Sequence, residues 1–185
     1  MYQCRGAYRA ISYVIAGTLV IFPFMFVLAL LFTCISWFLV NLPADASVYL
    51  FDLFATWVMI CNAFCFAQFI SVVVPDPMAG QVAGSGILSV MFLTSGFFIT
   101  KNNIPKWWLW LYYISIFHYG FNPLLINGLS KTSYDGMDSQ DILEQYDMNG
   151  ESKWFGVGIL LCMMCFFRWR FYETLVNNFS GQRTQ

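Results

Sequence analysis

The residues able to do chemistry in this 185-residue chain are few and poorly matched to one another. His118 is the one histidine, so neither a Ser-His-Asp hydrolase nor a zinc hydrolase can be built around it. A lone histidine among tryptophans and tyrosines better suits hydrogen bonding at a water–lipid boundary. Cys162 and Cys165 have the spacing of a redox CxxC, and Cys61 and Cys65 would complete a four-thiolate metal set. Both pairs lie in apolar runs, where a thiolate is disfavoured and a buried cysteine ordinarily packs. Asp135, Asp138, Asp141, Glu144 and Asp147 miss the D-x-[DN]-x-[DN]-G order of a calcium loop. Asp138 and Asp141 instead suit the start of a helix, near its positive dipole end. No lysine follows Gly80, Gly84 and Gly86 as a phosphate loop requires, and the sequence contains no Walker A motif. No catalytic residue, metal ligand or cofactor-binding residue is assigned. The chain as it stands is not expected to act as an enzyme or to hold ATP and magnesium itself.

The elements around these residues belong to a membrane protein. Hydrophobic residues make up 59% and charged residues only 10%, against ~25% charged in an ordinary soluble domain. Between Arg9 and Lys101 the only charges are Asp45, Asp52 and Asp76, so a soluble fold has no polar skin to wear. A net charge of −1 without a basic patch argues against nucleic acid as a partner. No cleavable signal peptide is evident, because the first apolar run is long enough to stay in the bilayer. The partner this composition calls for is the lipid bilayer.

Roughly 20 apolar residues are needed to span the hydrocarbon core as a helix. Such runs occur at about 10–40, 48–74, 78–99 and 154–172, which predicts an all-α membrane protein with four transmembrane helices. Pro23 is expected to kink the first. Asp52 sits one turn into the second, where a carboxylate can reach water, and Asn62 near mid-depth is expected to bond across helices. The third carries a Gly80/Gly84 spacing that suits close helix approach, a weak signal by itself. The external loop, 100–153, opens on an apolar segment, Ile104–Leu129, that Lys106, His118, Asn122 and Pro123 interrupt. Its Trp107, Trp108, Trp110, Tyr112, Tyr113 and Tyr119 favour the water–lipid boundary, so it reads as interfacial or re-entrant helices rather than a span.

Four spans put both termini on one side. Arg5 and Arg9 flank the first span, and Arg168, Arg170 and Arg183 follow the last, so the positive-inside rule places both ends in the cytosol. The Asn178-Phe179-Ser180 sequon is then cytosolic and expected to stay unmodified. Cys4, Cys34, Cys61, Cys65, Cys162 and Cys165 all avoid the outer region between Lys101 and Lys153, as a reduced thiol set would.

The order of the motifs is more specific than any of them singly. Gly6-Ala-Tyr-Arg-Ala-Ile-Ser-Tyr13 resembles the G-x-Y-R-x-x-S-Y that leads into the third membrane helix of G-type (white/brown-complex) ABC half-transporters. Leu93-Thr-Ser-Gly-Phe-Phe98, Ile104-Pro-Lys-Trp-Trp108 and Tyr112-Tyr-Ile-Ser115 resemble their fifth helix and the start of the last external loop. Tyr119 through Asn127 resembles that loop's Y-x-x-x-A-L-x-x-N-E, with Pro123 and Gly128 where alanine and glutamate are usual. Asp141–Tyr146 and the Phe167–Tyr172 segment are similar to plant-type members. The resemblance covers nearly the whole chain. It implies that residues 1–185 are part of an ABC-2 type transmembrane domain, its helices three to six, with a nucleotide-binding domain lying elsewhere.

The same resemblance implies an ATP-driven exporter of lipid-like or amphipathic substrates, working as a homo- or heterodimer, with the plasma membrane as its expected location. Ser85, Leu88, Ser89 and Phe92 would face the central substrate pathway, and Phe97 and Phe98 would close it outward. Residues 85, 88, 89 and 92 do share one helical face, and plain packing is the alternative role for them. Relatives that carry cysteines in the last external loop differ from this chain, so no inter-subunit disulfide is implied. Two other readings stand beside the transporter: a stand-alone four-helix scaffold or adhesion protein, and a truncated product that pairs with full-length transporters.

Overall fold

The computed structural model describes residues 10–40, 45–96, 99, 104–129 and 152–181. Six helices lie among them: α1 (Ala10–Val40), α2 (Ala46–Val73), α3 (Pro77–Leu93), α4 (Leu109–Ile114), α5 (Ile116–Leu129) and α6 (Lys153–Gly181). Three stretches are long and apolar enough to cross a membrane, namely Val14–Val40, Ala46–Val73 and Lys153–Asn177. The third expected span is shorter than the sequence suggested. α3 has 17 residues, about 25 Å at 1.5 Å per residue, against a hydrocarbon core of ~30 Å.

The termini of α3 explain its length. Pro75 and Pro77 bracket Asp76 and end α2, and Pro77 at the first turn of α3 costs no hydrogen bond. At the other end Thr94 Oγ1 donates back to the Val90 carbonyl at 2.9 Å. Gly96 then takes φ +94°, a left-handed conformation that a residue with a Cβ resists. The helix therefore stops before Ile99. α1, in contrast, continues through Pro23. Trp57 of α2 sits beside that proline, edge-on to Phe22 and Phe26 with ring centroids 6.1 and 5.8 Å away.

The core lies between α2, α5 and α6. Val58, Cys65, Phe66, Ile116, Leu160 and Phe167 form its main cluster, and Phe51, Ala55 and Val157 a second one nearer the start of α2. The α2–α6 contact is the most extensive in the molecule. Close approach of α5 and α6 depends on Gly156, where an added Cβ would lie 2.6 Å from Pro123 Cγ. α1 leans on α2 alone over most of its length and leaves Leu19, Val20, Phe38 and Leu39 exposed. Apolar side chains on an outer surface are what a hydrocarbon solvent requires.

The segment expected to be interfacial or re-entrant is broken into α4 and α5 at Ser115, which adopts an extended conformation. Neither piece is long enough to span. α5 packs against α2 and α6, so Ile116, Pro123 and Asn127 are fully buried.

Candidate functional site

α3 carries the four pathway candidates, and its packing divides them. Leu88 packs against the main core cluster. Phe92 meets Phe117 and Phe121 of α5 at centroid distances of 5.2 and 6.3 Å. Ser85 and Ser89, on the neighbouring edge of the same face, are exposed. Their hydroxyls donate within α3, Ser85 Oγ to the Val82 carbonyl at 3.0 Å and Ser89 Oγ to the Ser85 carbonyl at 2.8 Å. That bonding lets a hydroxyl tolerate an apolar surround while its oxygen still accepts a hydrogen bond. Phe97 and Phe98 lie outside the described residues, as do Lys101 and the acids from Asp135 to Asp147.

A cleft of about 440 Å³ separates the C-terminal part of α2 from the N-terminal half of α3, with Ser85 and Leu88 on its α3 side and Phe66, Ile70 and Ser71 on its α2 side. Gly80 and Gly84 face α2 across it. An added Cβ would meet Val74 at 3.6 Å and Ile70 at 3.8 Å, ordinary contact distances. The glycine spacing thus permits but does not enforce tight packing.

The C-terminal end of α3 is held firmly. Ser115 Oγ donates to the Met91 carbonyl at 2.7 Å. His118 Nδ1 lies 3.2 Å from the Ser95 carbonyl, and because a carbonyl only accepts, Nδ1 carries the proton. The Tyr112 ring covers Gly96 so closely that a Cβ there would be 2.9 Å from Cε2. His118 is a hydrogen bonder as its type suggested, but it is buried (2% exposed) rather than at a wet boundary.

A second polar cluster joins α2, α5 and α6. Asn127 Nδ2 donates to the Asp52 carboxylate at 2.8 Å and to the Val48 carbonyl at 3.0 Å, while Lys153 Nζ donates to Asn127 Oδ1 at 2.9 Å. Lys153 also lies 4.9 Å from the centre of the Phe51 ring. Asp52 is therefore not a carboxylate reaching water: it is 6% exposed and bonded by an amide. Asn62 does bond across helices, donating to the Leu160 carbonyl at 2.7 Å. In the C-terminal half of α6, Arg168 donates to Gln68 of α2 and lies over the Phe64 ring. The sequence singled out neither Asn127 nor Lys153. Polar side chains opening or closing apolar helices were the available signal, because such groups must find partners in hydrocarbon.

Among the described residues no three His, Cys, Asp or Glu side chains gather as a metal site. Cys61 and Cys65 are buried, Cys162 and Cys165 are exposed on the outside of α6, and all four thiols are free.

A helical membrane domain with a short, polar-edged third helix and a short α4–α5 pair broken at Ser115 has a counterpart in sequence. The profile described as ABC-2 type transporter matches residues 5–129. The chain belongs to the ABC-2 type transporter family. Within it, the similarity runs to plant G-family members. ABC transporter G family member 23 of Arabidopsis thaliana is 32% identical over 173 residues, covering 89% of this chain and 28% of that protein. Member 5 of the same organism is 33% identical, covering 92% of this chain and 27% of that protein. The family member STR of Medicago truncatula is 30% identical, covering 92% and 24%. This ABC-2 membrane segment thus spans about a quarter to a third of the curated relatives it matches.

Proposed function

We propose that the chain forms part of the membrane domain of an ATP-driven exporter of lipid-like or amphipathic substrates. The observation that carries this reading is the exposed edge of α3. Gln81, Ser85 and Ser89, spaced four residues apart, form a polar stripe along one edge of α3, and all three side chains are exposed. Polar atoms at that depth are costly against lipid and favourable along a substrate route. In the proposed assembly a second half-transporter, identical or not, faces this edge across a two-fold axis. Leu88 and Phe92 back the route with apolar surface. A nucleotide-binding domain supplies ATP and magnesium chemistry, and both chain ends lie on its cytosolic side, with the plasma membrane the expected location.

Phe97 and Phe98, which follow Gly96 directly, are proposed as the outer closure. Across a two-fold axis, phenylalanines from two copies could stack on one another and exclude water. An aromatic pair adds ~0.5–1.5 kcal/mol beyond burial. The test is the double substitution Phe97→Ala with Phe98→Ala in an intact transporter carrying this segment. ATP turnover is expected to persist or rise while export falls. Loss of surface expression together with both activities would mark the two residues as packing. Parental levels of all three would remove the closure from the proposal.

A further inference from the structure

α5 touches the rest of the molecule through polar anchors at both ends, and the two anchors reach different helices. At its N-terminal end, the Ser115–Met91 and His118–Ser95 hydrogen bonds, with Tyr112 packed on Gly96, fasten it to the C-terminal end of α3. At its C-terminal end, Asn127 uses both amide protons and its carbonyl oxygen to bond Asp52 and Val48 of α2 and Lys153 of α6. Between the anchors Pro123 lies against Gly156, and α5 packs against both α6 and α2. Among the described residues the N-terminal half of α3 has no such fastening, since Gly80 and Gly84 meet α2 only at ordinary contact distances and the Ser85 and Ser89 hydroxyls bond inside α3.

We propose that α5 is a strut in the transport cycle, with Lys153–Asn127 as its driven end and His118–Ser95 as its working end. Displacement of α6 relative to α3 then reaches the C-terminal end of α3 through α5. His118 and Asn127 are positioning residues: neither touches the substrate route, and each acts by fixing where α3 ends. A strut transmits through both of its ends in series, which distinguishes it from two unrelated structural contacts. Cutting either end disconnects it, and cutting the second end adds nothing. Independent contacts would instead multiply their effects.

This inference rests on the exporter reading, and the experiment separates the two. Substrate exported per ATP hydrolysed is measured in an intact transporter carrying this segment, for His118→Leu, Lys153→Met and their combination. Each single change should lower the ratio roughly fivefold, the consequence of losing one buried hydrogen bond, with ATP turnover retained and the double variant no worse than the poorer single. His118→Asn places an amide donor where Nδ1 stood and should restore the ratio. Lys153→Met leaves Asn127 bonded to α2, so a folding failure of His118→Leu does not remove the test. A double variant whose loss is the product of the two singles overturns the strut, as does a His118→Asn variant as poor as His118→Leu. Parental ratios in both single variants overturn it as well. If the Phe97→Ala with Phe98→Ala pair loses coupling while these singles do not, the strut alone fails. If the phenylalanine pair keeps coupling, the outer-closure reading falls by itself.

Discussion

Asn62 and Asn127 are both fully buried amides in apolar helices, yet their bonding differs. Asn127 satisfies every donor and acceptor it has and holds a buried carboxylate. Asn62 donates once, to a carbonyl, and its own Oδ1 has no hydrogen-bond partner among the described residues. Removing Asn127 leaves Asp52 without its amide, so Asn127→Leu should lower unfolding stability by about 3 kcal/mol. Asn62→Leu removes one bond together with an unsatisfied oxygen and should stay within about 1 kcal/mol of the parent. Unfolding in detergent micelles by heat or denaturant checks both, and equal losses would show that partner count does not set the cost here. The sequence placed Asn62 in a cross-helix bond because it stands alone in an apolar run. It gave no partner for Asp52, because that partner lies 75 residues away.

At the scale of elements, the glycines exchange importance. Gly80 and Gly84 have the spacing associated with helix approach, but each has room for a methyl group. Gly156 belongs to no recognised pattern, yet an added Cβ would sit 2.6 Å from Pro123 Cγ and 3.2 Å from the Tyr119 carbonyl oxygen. Gly156→Ala should therefore push α6 off α5 and cost ~1–3 kcal/mol through overpacking, whereas Gly84→Ala should be neutral or slightly favourable. Thermal stability of the two variants in micelles decides it, and the reverse ranking would mean that α3 closes on α2 more tightly than the cleft between them allows. A second element-scale lesson concerns α3 itself. Hydropathy extended it to Ile99, because Phe97 and Ile99 are as apolar as the helix before them. Gly96 with its positive φ ended it instead, and hydropathy carries no information on φ.

For the whole molecule, the arginine placement and the absence of a phosphate loop each make a prediction. Single reporter cysteines at Ser139 and Thr184, on a cysteine-free background, should label from outside only at 139. Labelling at 184 would reverse the orientation on which the cytosolic nucleotide-binding partner depends. The purified chain by itself should neither bind nor hydrolyse ATP, since nothing in its 185 residues resembles a phosphate-cradling loop. Hydrolysis by a clean preparation would reveal a nucleotide site of another kind. Turnover is expected once the chain is assembled with a nucleotide-binding domain.

Solvent, helical character and family were set by the sequence, because each depends on local quantities: apolar run length, proline position, and the order of short motifs. The bilayer demands unbroken apolar helices, and no tertiary information is needed to recognise them. The site's internal arrangement was different. Residues 85, 88, 89 and 92 could be put on one face by periodicity alone, but which edge of that face stays open depends on where α2 and α5 pack. The anchors of α5 likewise join residues 23 to 79 positions apart. Only the folded chain brings such groups within hydrogen-bond reach, where burial forces each polar atom to find its partner.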